Sequence, residues 1–397
     1  MEIGLYRYRL ELLTPAIVTS AQGYRGMSYT TVSKYILGSV VRGALFSQLL
    51  SENAITSADA HRESLNPSHS VTPALHVPRE KADTAIPIKD VAFAHALTFM
   101  FKHATGSPRV LSFGIDRLLQ YIETGKYGVE EALKELIFNV TLNTDVKAFK
   151  NAVSNPIEVL KSSTEMKSAC GSTIVRDAGG WVVSEPSTSI YVETAVDRAR
   201  GSAASGALYA YEYIEPGNTF VGLIATQSGS PIADALKSYD KSCLVVRVGR
   251  GVGRGFGISR LCIESIDQSK VIDPFDLGNK LYVLYAASPM LNIDGVPGPV
   301  MTGDEITVKV FGSTAAVIKI RAVIGRHTTK YYGWSYRTGL PKLPVEVNSP
   351  GTLAVAEILR VYNHELLAYT VATGFNSLSS QGFNFVKFVR QDFVEVV

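Results

Sequence analysis

Between Val245 and Ile263 the chain reads VVRVGRGVGRGFGISRLCI, with glycines at 249, 251, 253, 255 and 257, arginines at 247, 250, 254 and 260, and no acidic residue. A regular strand does not run through such spacing, because each glycine weakens a ladder and opens backbone conformations of positive φ. The apolar stretches on either side (Leu244, Val245, Val246, then Phe256, Ile258, Leu261, Ile263) read as the ends of structural elements, so the run is a loop held at a defined place. Glycine lets another chain approach the backbone amides, and Arg250 and Arg254 set planar cations beside them. The natural partner is a polyanion backbone. A flexible hairpin with solvated arginines is the plainer alternative. No GK[ST] follows, and the predicted helix precedes the loop instead of opening from it, which excludes a nucleotide phosphate loop and a dinucleotide fingerprint.

The rest of the chain suits a packed protein. At 397 residues, with 46% apolar and 19% charged residues, it has material for two or three domains. The net charge of +3 decides little, but the basic residues gather in windows without acids. The three cysteines (170, 243 and 262) form no CxxC pair and no even framework, so neither a disulfide scaffold nor a cysteine-rich zinc site is expected. The opening MEIGLYRYRLELL carries charges inside its apolar alternation, and no apolar stretch is long enough to span a bilayer. A soluble, cytoplasmic protein without a membrane partner is the expectation.

Residues 4–18 alternate as a strand ending at Thr14-Pro15, and Lys34 to Leu50 carry apolar residues at helical spacing after Gly38-Ser39. From about 53 to 180 the sequence reads as an insertion: a polar, proline-rich part with five of the seven histidines, then short helical patterns such as VEEALKELIF. Strands resume over Trp181 to Val192 and Ala207 to Ala225, separated by a small-residue loop with Arg198 and Arg200. A short helix over Ile232 to Tyr239 precedes the glycine loop. With the insertion set aside the order is β-α-β-β-α-β. Asp273-Pro274-Phe275 reads as a linker. Beyond it come a strand opening at Lys280, strands at 305–311 and 315–325, a helix at 353–360 or 364–371, and a last strand over Phe383 to Arg390. GFNSLSSQGFNF (374–385) echoes the first loop without its arginines, as an internal duplication would leave it. The expected fold class is therefore α+β, two ferredoxin-like (RRM-like) domains in tandem: 1–268, with the insertion at about 53–180, and 269–397.

Other features bear on chemistry. From Ile306 to Val345 there is no Asp or Glu, while seven Lys or Arg residues, among them Arg337 and Lys342, mix with Tyr331, Tyr332, Trp334 and Tyr336. Cations for phosphates and flat rings for bases coincide there, unless the rings are core and the lysines a solvated face. Gly38-Ser39-Val40-Val41-Arg42 puts a hydroxyl, amides and a cation at a helix start, either an anion site or a plain cap. The histidines show no HxxxH or HExxH spacing, so no metal and no cofactor is expected. Glu193 with Asp197 is a carboxylate pair better read as a strand-end ion pair to Arg198 or Arg200 than as acid-base machinery.

Taken in order, the first strand with its proline, ILGSVVRGAL, YVETAVDRARGSAASGALYAYEYIEPGNTFVG and VGRGVGRGFGISRL resemble the RAMP superfamily of CRISPR-associated RNA-binding proteins, over residues 1–50 and 181–397. Within it, GWSYRTGLPKLPVEVNSPGTLAV is similar to the two-domain subunit that caps the guide-RNA 5′ handle in type III-D effector complexes. The resemblance implies a non-catalytic subunit that holds that handle and docks on the large polymerase-like subunit and the first backbone subunit. Ser39 and Arg42 would sit near handle phosphates, Gly249, Arg250, Gly251, Gly253, Arg254, Gly255 and Gly257 would clamp the RNA backbone, and the hairpin with Arg198 and Arg200 would reach toward the guide as a thumb. Trp334, Arg337 and Lys342 complete the expected RNA-contacting set. The chain lacks the cysteine pairs that many relatives carry in the insertion, and its second glycine loop is worn. Two alternatives stay open: a RAMP endoribonuclease that processes guide precursor, and a backbone subunit that cleaves target RNA with a loop aspartate such as Asp197.

Overall fold

The structure, a computed structural model, describes residues 2–19, 29–30, 32–101, 109–112, 114–123, 166–178, 180–197, 202–275, 278–294, 297–325, 328–331, 334–335, 340–341 and 343–394. It is a mixed α/β molecule, mostly strands with few helices. The opening alternation forms strand Ile3–Leu12, central in a sheet whose order is Ser242–Arg247, Ile258–Ser265, Ile3–Leu12, Thr219–Gln227, His69–Val71, with Leu75–Val77 also pairing on Thr219–Gln227. All these pairings are antiparallel.

The two faces of Ile3–Leu12 have different fates, as its period of two requires. Tyr8, Leu10 and Leu12 are buried with Val41, Leu45 and Leu49 of helix Gly38–Ser51 and with Ile232 and Leu236 of helix Pro231–Ser238. That second helix begins where the sequence prepares it: Pro231 is its first residue, and the Ser230 side chain accepts from Ala233 N. Tyr8 lies across its neighbour strand because its partner in register is Gly222, where a Cβ would come within 2.4 Å of the phenol oxygen. The phenol donates to Thr72 O at 2.8 Å. On the other face, Ile3 and Leu5 join Leu223 and Ala225 in a second core with Leu284, Ile306, Leu367 and Val371. The buried Arg7 on that face donates to the carbonyls of Ala82 and Ala85, which satisfies a guanidinium that would otherwise be costly to bury.

The second half builds a sheet in the order Glu305–Val310, Ser313–Ile324, Leu353–Val361, Leu281–Ala286, Val386–Val389. Helix His364–Thr373, capped by Asn363 onto Leu366 N, packs on its strands Glu305–Val310, Ser313–Ile324 and Val386–Val389 and on Thr219–Gln227 of the first sheet. Of the two expected helix positions in this half, 353–361 is a strand and 364–373 the helix.

Elsewhere the structure departs from expectation. The long strands over 181–192 and 207–225 are each interrupted, at 184–187 and 215–218. Pro186 and Pro216-Gly217 sit in these breaks, where a ladder loses a donor. Asn218 joins the two, accepting from Ser187 N at 3.1 Å and donating to Glu215 O at 2.8 Å. The arms beyond the breaks, Thr188–Asp197 and Ser202–Ile214, pair with each other in a separate sheet that also takes in Tyr29–Thr30. Residues 69–77, expected in the insertion, instead give the first sheet its strands His69–Val71 and Leu75–Val77. Later segments of 53–180, together with Gly180–Val183, build a six-stranded antiparallel sheet of short strands (Val91–Phe93, Thr173–Asp177, Gly180–Val183, Arg109–Ser112, Thr98–Phe101, Met166–Ser168) with helix Ile115–Glu123. VEEALKELIF, at 129–138, lies outside the described residues. The cysteine spacing indicated no disulfide scaffold, yet Cys243 and Cys262 stand directly opposite on neighbouring strands and form a disulfide. A cross-strand pair is set by register, which no spacing motif announces. Among the described residues no helix is long and apolar enough to cross a membrane.

Candidate nucleic-acid interface

The glycine run is a loop stitched at both ends to the segment after the first strand. Arg250 N donates to Ile17 O at 2.9 Å, Gly257 N to Pro15 O at 2.7 Å, and Val248 N closes the base onto Gly257 O at 2.9 Å. Between these points Val252–Arg254 form one 3-10 turn. Glycine is required at the base: a Cβ at Gly249 would lie 2.4 Å from Ile17 O, and one at Gly257 1.9 Å from Val248 O, both residues having positive φ. At the tip the reason differs. Gly253 has ordinary φ, and a Cβ there would meet nothing within 4 Å. Nothing inside the described protein explains that glycine.

Arg250 is exposed, and among the described residues no carboxylate meets it. Arg254, also exposed, donates from Nη1 to the Glu193 carboxylate at 3.2 and 3.3 Å, with its guanidinium carbon 5.5 Å from the Tyr211 ring centre and 5.7 Å from that of Phe256. Tyr211 stacks on Tyr191 (centroids 5.4 Å apart, 29° between planes), meets Phe256 edge-on at 6.0 Å and donates its hydroxyl to Glu193 at 3.0 Å. The loop and the hairpin Thr188–Asp197/Ser202–Ile214 therefore form one continuous surface of cations, open backbone and aromatic rings. Sequence reasoning named the loop but missed Tyr191, Tyr211 and Phe256. The signal available was YAYEY facing YVE across a hairpin, which places Tyr191 opposite Tyr211 once the register is known.

Ser39 and Arg42 stand at a different place. The start of helix Gly38–Ser51 has Leu37 as its cap residue with no side-chain cap, and Ser39 is the second residue inside, half-buried. Arg42 is drawn into the fold: its Nε donates to His69 Nε2 at 2.8 Å, one Nη donates to Glu63 O at 3.3 Å, and its guanidinium carbon lies 4.7 Å from the Phe46 ring centre. The buried His69 in turn donates from Nδ1 to Glu63 at 2.7 Å, and Ser68 donates to the same carboxylate through N and Oγ. These partners fix a neutral His69. Burial, with the Arg42 charge, holds its pKa below the ordinary value against the pull of Glu63, while for Glu63 burial is outweighed by the bonds from His69 and Ser68, which hold it low.

The helix start is covered by the second loop, where Ser377–Gln381 form a 3-10 turn. A Cβ at Gly38 would lie 2.7 Å from Gly382 Cα, and one at Gly382 2.6 Å from Gly38 N. Trp334-Ser335 pair with Leu340-Pro341, and Thr328–Tyr331 with Val345–Asn348, in two separate two-stranded sheets. Arg198, Arg200, Arg337 and Lys342 lie outside the described residues. Among the described residues no group of His, Cys, Asp and Glu has the arrangement to hold a metal ion.

Sheets flanked by few helices, with a cationic glycine loop pinned beside an aromatic hairpin, define a strand-rich α/β protein with exposed cations and aromatic rings on one surface. The family model of the RAMP superfamily matches residues 9–260, more than half of the sequence. The chain belongs to the RAMP superfamily. No curated protein sequence matches it. Among solved structures it is similar to a chain of the type III-B Cmr-beta complex bound to cognate target RNA, at 11% identity and a TM-score of 0.43 over 96% of each chain. It is similar to a chain of the same complex with target RNA and AMPPnP, at 12% identity and TM-score 0.39 over 88% of this chain and 86% of the other. A third likeness is to a chain of the Csm3–Csm4 subcomplex of a type III-A CRISPR-Cas interference complex, at 9% identity and TM-score 0.35, covering 90% of this chain and 97% of the other.

Proposed function

We propose that this RAMP protein is a non-catalytic RNA-binding subunit of a type III CRISPR effector complex, holding the 5′ handle of the guide RNA on the 249–257 loop and docking beside the large and backbone subunits. The observation that carries the RNA contact is the tip of that loop. Gly253 has no conformational or packing reason to be glycine, and exposed Arg250 and Arg254 flank it on a backbone pinned at both ends. A rigid, open, cationic backbone suits close approach by a sugar-phosphate chain.

Topology supports reading the molecule as two ferredoxin-like units. If the four core strands of each unit are numbered in chain order, the first sheet runs 4-1-3-2 through Ile258–Ser265, Ile3–Leu12, Thr219–Gln227 and His69–Val71. The second runs 4-1-3-2 through Val386–Val389, Leu281–Ala286, Leu353–Val361 and Ser313–Ile324. The first carries two additional strands, Ser242–Arg247 and Leu75–Val77, and the second carries one, Glu305–Val310. The non-catalytic reading draws on the commitment of His69 and His95, both fully buried, to internal carboxylates Glu63 and Asp392, since a general acid-base histidine must reach its substrate.

The test is fluorescence anisotropy with handle-containing and handle-free guide RNA across a salt series. Arg250→Ala combined with Arg254→Ala is expected to weaken handle binding about tenfold and to flatten the slope of log K against log salt by about 1.4, two phosphates' worth on a single strand. Unchanged binding removes the loop from the interface, and cleavage of repeat RNA by the purified chain overturns the non-catalytic reading.

A further inference from the structure

From the geometry around Tyr191 we infer a nucleobase-stacking site on the hairpin, separate from the phosphate-contacting loop: one base of a single-stranded RNA lies on the outer face of the Tyr191 ring. The inference rests on the RNA-binding reading above and adds to it a named side chain and the kind of contact it makes.

Tyr191 is 47% exposed although its ring is already stacked on Tyr211, which is only 8% exposed. The pair is therefore half a stack, with its inner member built into the protein and its outer member open. The inner ring is fixed four ways: by Tyr191 on one side, by the edge-on Phe256, by the Arg254 guanidinium and by its own hydroxyl bond to Glu193. An exposed ring backed so firmly presents a flat surface without losing further side-chain entropy on binding, which is what a base needs. Phe256 and Arg254 belong to the glycine loop itself and both meet the Tyr211 ring on which Tyr191 is stacked, so a strand whose phosphates follow Arg250 and Gly253 runs beside the tyrosine pair.

The opposite face of the same hairpin strand differs. Ile190 (58%) and Val192 (57%) are exposed there, but they are aliphatic, and the ring and cation contacts of the Tyr191 side involve neither of them. A base-stacking contact uses Tyr191 and not this face.

Stacking and charge are separable by salt. With the full chain and a fluorescein-labelled single-stranded RNA of about 12 nucleotides, Tyr191→Ala is expected to lower affinity about 5- to 100-fold with an unchanged salt slope, whereas Tyr191→Phe and Ile190→Ser bind as the parent does. A 2-aminopurine placed along the same RNA should be quenched by the parent chain and by Tyr191→Phe, and not by Tyr191→Ala. Three results overturn the site. In the first, Tyr191→Ala binds normally while the Arg250/Arg254 double variant fails, which removes stacking and leaves the RNA reading intact. In the second, Tyr191→Phe fails as badly as alanine, which assigns the effect to the hydroxyl. In the third, Tyr191→Ala keeps RNA affinity but loses co-purification with a neighbouring subunit, which makes the ring a protein contact. If the parent chain binds no RNA at all, the underlying reading falls and this site with it.

Discussion

The loop at 249–257 joins strands Ser242–Arg247 and Ile258–Ser265, and that at 374–385 leads from helix His364–Thr373 into strand Val386–Val389; each carries a 3-10 turn bounded by positive-φ residues, yet one is open and the other closed. The first keeps its arginines and presents Gly253 and Gly255 to open space. The second has no arginine, and its Gly382 is pressed against the amides at the start of helix Gly38–Ser51. The lesson is that glycine serves two opposed ends. At the tip of one loop it leaves the backbone open to solvent, and in the other it removes a Cβ so that two backbones of the same chain can meet. The closed loop joins the second half of the chain to the start of helix Gly38–Ser51.

That contrast breaks most visibly by filling the joint. Gly382→Ala must find space 2.6 Å from a backbone nitrogen at φ 89°, so it should destabilise the chain by about 3 kcal/mol, read as a lowered thermal midpoint. An unshifted midpoint would show that the closed loop is free to yield. Next comes acid. His69 lies on strand His69–Val71, against which the closed loop packs. His69 and His76 are both held below the ordinary histidine value by burial, His76 down to about 4. The unfolded chain takes up these protons first, so stability is complete above pH ~6.5 and falls as pH drops toward 4, by about 2 kcal/mol for His76 alone after allowing for its partial exposure. Urea unfolding at pH 7 and pH 5 measures it, and a flat profile would mean that the histidines charge without cost. The smallest effect sharpens the comparison from the open side. Gly253→Ala should leave the midpoint within about 1 °C, since the site is neither strained nor crowded, while weakening RNA binding about threefold by holding the phosphate backbone off. A fall in stability there would give Gly253 an internal role and weaken the case for an external partner.

Much of this was legible in the residues. The first loop, the strand after it, the helix that begins at Gly38 and the helix near 231 are local features, set by spacing and breakers within a few residues; the strand Ser242–Arg247 before the loop and the choice of 364–373 over 353–360 as helix were not. The insertion's sheet was not, because its strands are three to five residues long and owe their order to partners up to 84 residues away. Nor was the fate of Arg42, which on paper is a free cation at a helix start and in space is a donor to His69.

By itself the sequence determined where the backbone turns, which strand faces are apolar and which loop carries the cations, since each follows from local sterics and period. Only the tertiary structure decided which of two similar loops stays open, that Cys243 meets Cys262, and that Tyr191, Tyr211, Phe256 and Arg254 share one surface. Those are matters of register and of packing between distant segments. A residue's own chemistry limits what it can contact, but the neighbours that the fold brings to it settle which contact is made.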